Sequence, residues 1–291
     1  METKEIIKKV KKIEIKTKHL VEGLMTGAYH SVFKGRGIEF SEVREYVPGD
    51  DVRSIDWKVT ARMNHPFVKE FIEERDLTMY IIFDVSASGE FGATKSKKEQ
   101  ATELAATLMF SAIQNNDNVG LMLFSDRMER FIPARKGKKH VLKLVRELVT
   151  YEPVGKTTDI GVALSYFSKI IKRGSIIFII SDFYSSDFLL PLKMIRQKHD
   201  VIAINIHDIR ELEIPDVGYI ELEDEETGEQ ILVDTSDALF RKRYEGIMKE
   251  RELGLTRHMH KLGIDMIALH SDQTYETPLR NFFRTRERRR G

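Results

Sequence analysis

Cysteine is absent from this chain of 291 residues. The absence excludes disulfides, a thiol nucleophile and thiolate-ligated zinc or iron–sulfur centres, and it accords with a reducing cytosol. Net charge is nearly absent as well: 47 Lys and Arg stand against 46 Asp and Glu. A chain so balanced lacks the global basic field of a nucleic-acid binder. No apolar run approaches the ~18 residues of a transmembrane helix, and residues 1–5 carry no signal-peptide core. There is no His-Glu-x-x-His, and His258 and His260 are wrongly spaced for a helical i, i+4 metal pair, so both read as structural. No internal repeat is visible. These absences lead us to expect a soluble cytoplasmic protein with no transmembrane segment and no nucleic-acid partner. With 41% hydrophobic and 32% charged residues, the length suits one large α/β domain and a smaller appendage.

What is present is organised around residues 77–88, Leu-Thr-Met-Tyr-Ile-Ile-Phe-Asp-Val-Ser-Ala-Ser. The first seven are almost all apolar and follow a charged stretch, so they read as a buried strand. Asp84 then stands at its carboxyl end, with Ser86 and Ser88 at alternate positions. Two readings compete. These groups either cap the next loop and helix or form a cluster of hard oxygen ligands suited to Mg²⁺, Ca²⁺ or Mn²⁺.

Before this strand, residues 3–28 set Ile6, Ile7, Val10, Ile13, Leu20, Val21, Leu24 and Met25 among seven lysines. The spacing predicts an amphipathic helix, or a broken pair, with its apolar stripe on the domain and its lysines in solvent. Residues 34–62 are dense in glycine, aromatics and charges of both signs. Pro48-Gly49 marks a turn, and Asp50 or Asp51 is placed to cap a short helix through Arg62. Arg44, Arg53 and Arg62 have Glu45, Asp51 and Asp56 as bidentate partners, which would make a salt-bridged lid. The alternative is a recognition surface built from Arg44, Asp51, Arg53, Asp56, Trp57 and Arg62.

After the central strand, the pattern predicts helices over 95–115, 141–149, 188–197 and 237–262, the last with a defect at Gly254. Strands are expected at 119–124, 130–133, 175–180, 201–206 and 264–269, with a β-hairpin over 218–235. A loop at 155–159 opens a further helix to about Lys172. Strands alternating with helices of this length predict an α/β fold with a doubly wound, mostly parallel sheet flanked by helices. The expected division is an N-terminal helical and irregular extension over 1–76, the α/β domain over 77–272 and a basic tail over 273–291. That tail carries six arginines against one glutamate over 280–291 and reads as disordered.

Three loops share one chemistry. Asp84, Ser86 and Ser88 end one strand, Thr158 opens a helix, and Asp182 ends another strand. A doubly wound sheet brings such loops to its carboxyl edge. There, two carboxylates would neutralise a divalent cation and uncharged hydroxyls would complete its shell. These three elements, in this order, resemble the metal-ion-dependent adhesion site of von Willebrand factor A domains. Gly37-x-Glu-Phe40, Arg44-Glu-Tyr46, Pro48-Gly-Asp-Asp51, Arg53, Ile55-Asp-Trp57 and Ala61-Arg62 further resemble the signature of the domain-of-unknown-function 58 family. That family sets this segment ahead of a von Willebrand A-like domain.

The resemblance implies that Ser86, Ser88 and Thr158 ligate a divalent cation, Mg²⁺ first, with Asp84 and Asp182 acting directly or through water. It further implies a vacant coordination position for a Glu or Asp of a client protein, and a MoxR-type AAA+ ATPase as partner. On this reading the protein is a non-catalytic, metal-dependent adaptor or co-chaperone. One alternative is a metal-dependent phosphohydrolase of haloacid-dehalogenase type, which needs a second carboxylate where Ser86 stands and a lysine for which Lys172 is available. Another is a nucleic-acid or membrane-surface binder working through the basic termini.

Overall fold

The computed structural model describes residues 3–21, 29, 32–33, 38–73, 77–86, 97–155, 157–185, 187–223 and 230–290. In chain order, α1 (Thr3–Leu20) precedes β1 (Ile38–Glu45), a 3-10 turn (Val52–Ser54), α2 (Trp57–Met63) and β2 (Phe67–Glu73). Then come β3 (Thr78–Asp84), α3 (Lys97–Gln114), β4 (Asn118–Phe124), β5 (Met128–Arg135), α4 (Lys138–Thr150), α5 (Ile160–Ile170) and β6 (Ile176–Ser181). The chain ends with α6 (Leu189–Arg196), β7 (Asp200–His207), α7 (Ile209–Leu212), β8 (Tyr219–Glu223), β9 (Gln230–Asp234), α8 (Ala238–Lys261), β10 (Asp265–His270) and α9 (Glu276–Arg290).

Two compact units result, Phe33–Leu77 and the rest of the chain. The smaller unit therefore begins within the expected extension, and α1 belongs with the large sheet. In the smaller unit, β1 and β2 pair antiparallel with a bulge between Phe40 and Glu42. Its two short helical turns are capped separately: Asp51 accepts from Arg53 N–H, and Asp56 accepts from the N–H groups of Lys58 and Val59. Arg44 makes its bidentate pair with Asp50, at 2.7 and 2.8 Å, and with none of Glu45, Asp51 or Asp56. Both aspartates are committed to capping, and the Pro48-Gly49 turn brings Asp50 back against β1.

The larger unit carries a six-stranded sheet in the order β10-β7-β6-β3-β4-β5. Every pair is parallel except β4–β5. This is the expected α/β architecture, and its central strands are legible because both faces are covered. On one face Tyr80, Ile82, Ile177, Ile179, Val201 and Ala203 pack against Ile160, Leu164 and Phe167 of α5 and Leu192 and Ile195 of α6. On the other, α3 buries Leu104, Leu108 and Met109 completely. Outside α3 and α4 lies α1, held by Lys16–Glu103 at 2.5 Å and Glu14–Lys138 at 2.6 Å. Its continuation over 22–28 lies outside the described residues.

Two expectations are corrected. Helix α8 runs unbroken through Gly254. The expected disordered tail is the helix α9, which buries Leu279, Phe283 and Arg286. Arg286 pairs with Asp200 and, at 3.5 Å, with Asp265, while Arg289 reaches Asp265 at 2.8 Å. Those acidic partners begin β7 and β10, so charges remote in sequence pair with two arginines of the run. The hairpin β8–β9 forms as expected, and its Glu-Glu-Thr-Gly connection lies outside the described residues.

Candidate metal centre

Asp84 is the last residue of β3, between β6 and β4, so its carboxylate stands at the middle of the sheet's carboxyl edge. Both oxygens are engaged. Oδ1 accepts from the N–H of Ser86 at 3.0 Å, and Oδ2 accepts from the Ser181 hydroxyl at 2.7 Å. Burial, then the nearby Asp182 charge, raises the Asp84 carboxyl to about 6. Asp182 follows β6 and is itself buried. Its Oδ1 accepts from Tyr184 N–H at 3.1 Å, and its Oδ2 faces the Lys97 ammonium at 3.5 Å. Phe183 between them has φ 56°, an uncommon left-handed conformation for a bulky residue that turns the chain sharply at the site.

Asp84, Ser86, Lys97, Ser181 and Asp182 line one pocket of about 30 Å³, room for a single water or ion. Thr158 is not among its lining residues. Its loop nevertheless spans the same edge: Asp159 N–H donates to Ser125 O just beyond β4, and Ile160 N–H donates to the Ser185 hydroxyl beyond β6. The loop thus bridges the segments that follow β4 and β6, the two neighbours of Asp84's strand. Glu129 organises the loop's start by accepting from Gly155 N–H at 2.8 Å, Val154 N–H at 3.1 Å and the Ser125 hydroxyl at 2.7 Å. Desolvation raises the Glu129 carboxyl, but these bonds outweigh it and hold it below its ordinary value. Asp159 caps α5 through Val162 N–H at 2.9 Å, so the Thr158 hydroxyl sits immediately before a helix start.

Among the described residues, that hydroxyl is buried without a hydrogen-bond partner. A buried polar atom left unpaired is costly, and a ligand at this edge would satisfy it. The donor set therefore fits a hard divalent cation, with Asp84 and Asp182 supplying charge and Ser86 and Thr158 supplying neutral oxygens. Ser88 lies outside the described residues. Among the described residues, no three His, Cys, Asp or Glu side chains group as a metal site, as befits a set that relies on hydroxyls.

Of the residues singled out in the smaller unit, Arg53, Trp57 and Arg62 are exposed, Trp57 by 67%. Arg44, Asp51 and Asp56 serve that unit's own turns, and Asp56 also meets Lys69 at 3.5 Å. Sequence reasoning missed Ser181, Lys97 and Glu211. Ser181 adjoins Asp182 and is betrayed by its place at a strand end. Lys97, buried at the start of α3, contacts Glu211 Oε1 at 2.5 Å across 114 positions, a distance no local pattern reports. Lys172, the lysine considered for a phosphohydrolase, instead bonds Ser168 O on the surface.

Comparison with known proteins agrees with this architecture. A protein from Mycobacterium bovis, uncharacterised protein Mb1516, is 31% identical over 280 residues, covering 95% of this chain and 88% of its own. Among solved structures, an aerotolerance-related membrane protein from Bacteroides fragilis NCTC 9343 superposes with a TM-score of 0.50 at 16% identity, over 73% of this chain and 99% of that one. The SpRpn10 VWA domain is similar at a TM-score of 0.40 and 11% identity, over 70% of this chain and 93% of that one. The family model described as protein of unknown function DUF58 matches residues 42–253, across the smaller unit and most of the sheet. This chain belongs to the DUF58 family.

Proposed function

We propose that this protein is a non-catalytic protein-interaction module that binds its partner through a divalent cation held by Asp84, Ser86, Ser88, Thr158 and Asp182. The observation that carries this reading is the pairing of two acidic groups at one sheet edge, Asp84 and Asp182, with a buried hydroxyl, Thr158, that has no hydrogen-bond partner among the described residues, on the loop bridging the neighbouring strands' ends. Bound there, Mg²⁺ would act as a Lewis acid for an incoming oxygen ligand. The chain's own residues fix the edge: Ser181 and Ser86 N–H orient Asp84, Tyr184 N–H orients Asp182, and the capped start of α5 positions Thr158. The partner ligand is a Glu or Asp of a client, and the working assembly includes a MoxR-type AAA+ ATPase in the cytoplasm. Trp57, Arg53 and Arg62 of the smaller unit offer an exposed aromatic and cationic surface for recognition.

The test is a pull-down of the purified MoxR-type ATPase of the same genome on wild type and Asp84→Ala, with Mg²⁺ and with EDTA. Capture by wild type in Mg²⁺ alone supports the reading, and capture that survives both EDTA and the substitution sinks it.

One observation favours a second reading. A haloacid-dehalogenase-type phosphohydrolase needs a lysine beside its acidic pair, and Lys97 stands beside Asp182. Ser86 is where that chemistry requires a general acid. Hydrolysis of p-nitrophenyl phosphate that disappears in Asp84→Asn would establish it.

A further inference from the structure

Lys97 is a buried cation inside a pocket suited to another cation. Its side chain is 5% exposed, and lysine is rarely so buried unless paired. It has two acidic neighbours, Glu211 Oε1 at 2.5 Å and Asp182 Oδ2 at 3.5 Å. Asp182 Oδ1 accepts from Tyr184 N–H, which leaves the Lys97-facing Oδ2 as its less engaged oxygen. Ammonium and metal would therefore draw on the same atom. Glu211 is differently placed. It belongs to the short helix α7, its Oε2 accepts from Asp208 N–H at 3.2 Å, and it does not line the pocket.

We infer that Lys97 is the pocket's resident counter-ion, that it competes with the divalent cation for Asp182, and that Glu211 is the seat to which it withdraws. The inference rests on the metal-site reading above and adds what sets the affinity of that site. Charge arithmetic supports it. Asp84, Asp182 and Glu211 bring three negative charges and Lys97 one positive, so a divalent cation makes the set neutral once Lys97 is paired with Glu211. A lysine is suited to the exchange, being a compact charge on a flexible stem, able to shift between two carboxylates without the fixed geometry of an arginine fork. The pair Lys97–Glu211 thus tunes the site from behind, without itself ligating the metal.

Two substitutions should move metal affinity in opposite directions. In Glu211→Gln, Asp182 is the charged partner left to Lys97 among the described residues, and affinity for Mn²⁺ falls by about tenfold or more. In Lys97→Met, Asp182 is free and a like charge is gone, and affinity rises by a similar factor. The double variant Lys97→Met/Glu211→Gln keeps the pocket's net charge and does not strand the Glu211 carboxylate without its ammonium, so it folds even where Lys97→Met does not. It binds Mn²⁺ more tightly than Glu211→Gln alone. Isothermal titration calorimetry with Mn²⁺ as the only added ligand reads all four proteins, with circular dichroism confirming their folding. Both single variants weakening the site, or the double variant binding no better than Glu211→Gln while wild type binds, overturns the inference and leaves the metal site standing. A wild type that takes up neither Mn²⁺ nor Mg²⁺ overturns the metal-site reading itself.

Discussion

Ser181 holds Asp84 across the gap between two neighbouring parallel strands, its hydroxyl donating to Asp84 Oδ2 at 2.7 Å while accepting from Phe183 N–H at 3.1 Å. The bond ties the two acidic loops of the edge into one frame. A hydroxyl in that position orients a ligand without contributing one, and such supports typically account for 10–100-fold in metal affinity. Ser181→Ala should therefore weaken Mn²⁺ binding by about 10–100-fold with the fold intact, as measured by calorimetry beside a thermal melt.

The pH dependence follows from the Asp84 carboxyl, raised to about 6 by burial and by Asp182. A carboxyl pKa raised on folding adds stability below its ordinary 3.8, and that contribution disappears as pH climbs through about 6. The metal-free protein should thus lose stability from about pH 4 to about pH 6, the bounds those two values set, and Mg²⁺ should restore it. Metal entry below about 6 must expel the proton, so affinity should drop roughly tenfold per pH unit there and level off above about 7. Melting temperatures with and without Mg²⁺ across this range check both signs.

The loop that carries Thr158 depends on Gly155. A Cβ at that position would collide with the side chains of Ser125 and Asp126, and the backbone N–H there is bound to Glu129. Gly155→Ala should cost about 1–3 kcal/mol of stability by overpacking and weaken metal binding through displacement of Thr158. Urea denaturation and Mn²⁺ titration on the same preparation separate the two effects.

The last helix is part of the fold's stability. Phe283 is 1% exposed, and Phe283→Ala should cost about 3–5 kcal/mol in urea-induced unfolding. A cost near zero would return residues 276–290 to the disordered tail that their composition implies.

How much of this was legible in the sequence varies with the distance over which the determining contacts act. Strands β3, β6 and β7 are largely apolar runs because both faces are covered, so each announces itself within six to eight residues. Asp84, Ser86 and Asp182 are readable because each stands at the end of such a run. Helix α9 was hidden because its apolar residues are few, and the acids that neutralise Arg286 and Arg289 belong to β7 and β10. Likewise, Arg44 was paired with neighbours in sequence, whereas the turn at Gly49 delivers Asp50. Lys97 sits among surface-like lysines in Lys95-Ser-Lys-Lys98, and it is Asp182 and Glu211, far along the chain, that make it a buried ion.

Helix α9 also measures the sheet. It begins just beyond the carboxyl end of β10, where Gln100 binds the carbonyl oxygens of His270 and Gln273, and it returns to Asp200 and Asp265 at the amino ends of β7 and β10. Fifteen residues of helix cover about 22 Å, close to the length of those strands. The chain thus leaves the domain at the edge opposite Asp84. A fluorophore or an immobilising tag joined after α9 would therefore sit at the edge of the sheet opposite the candidate metal centre.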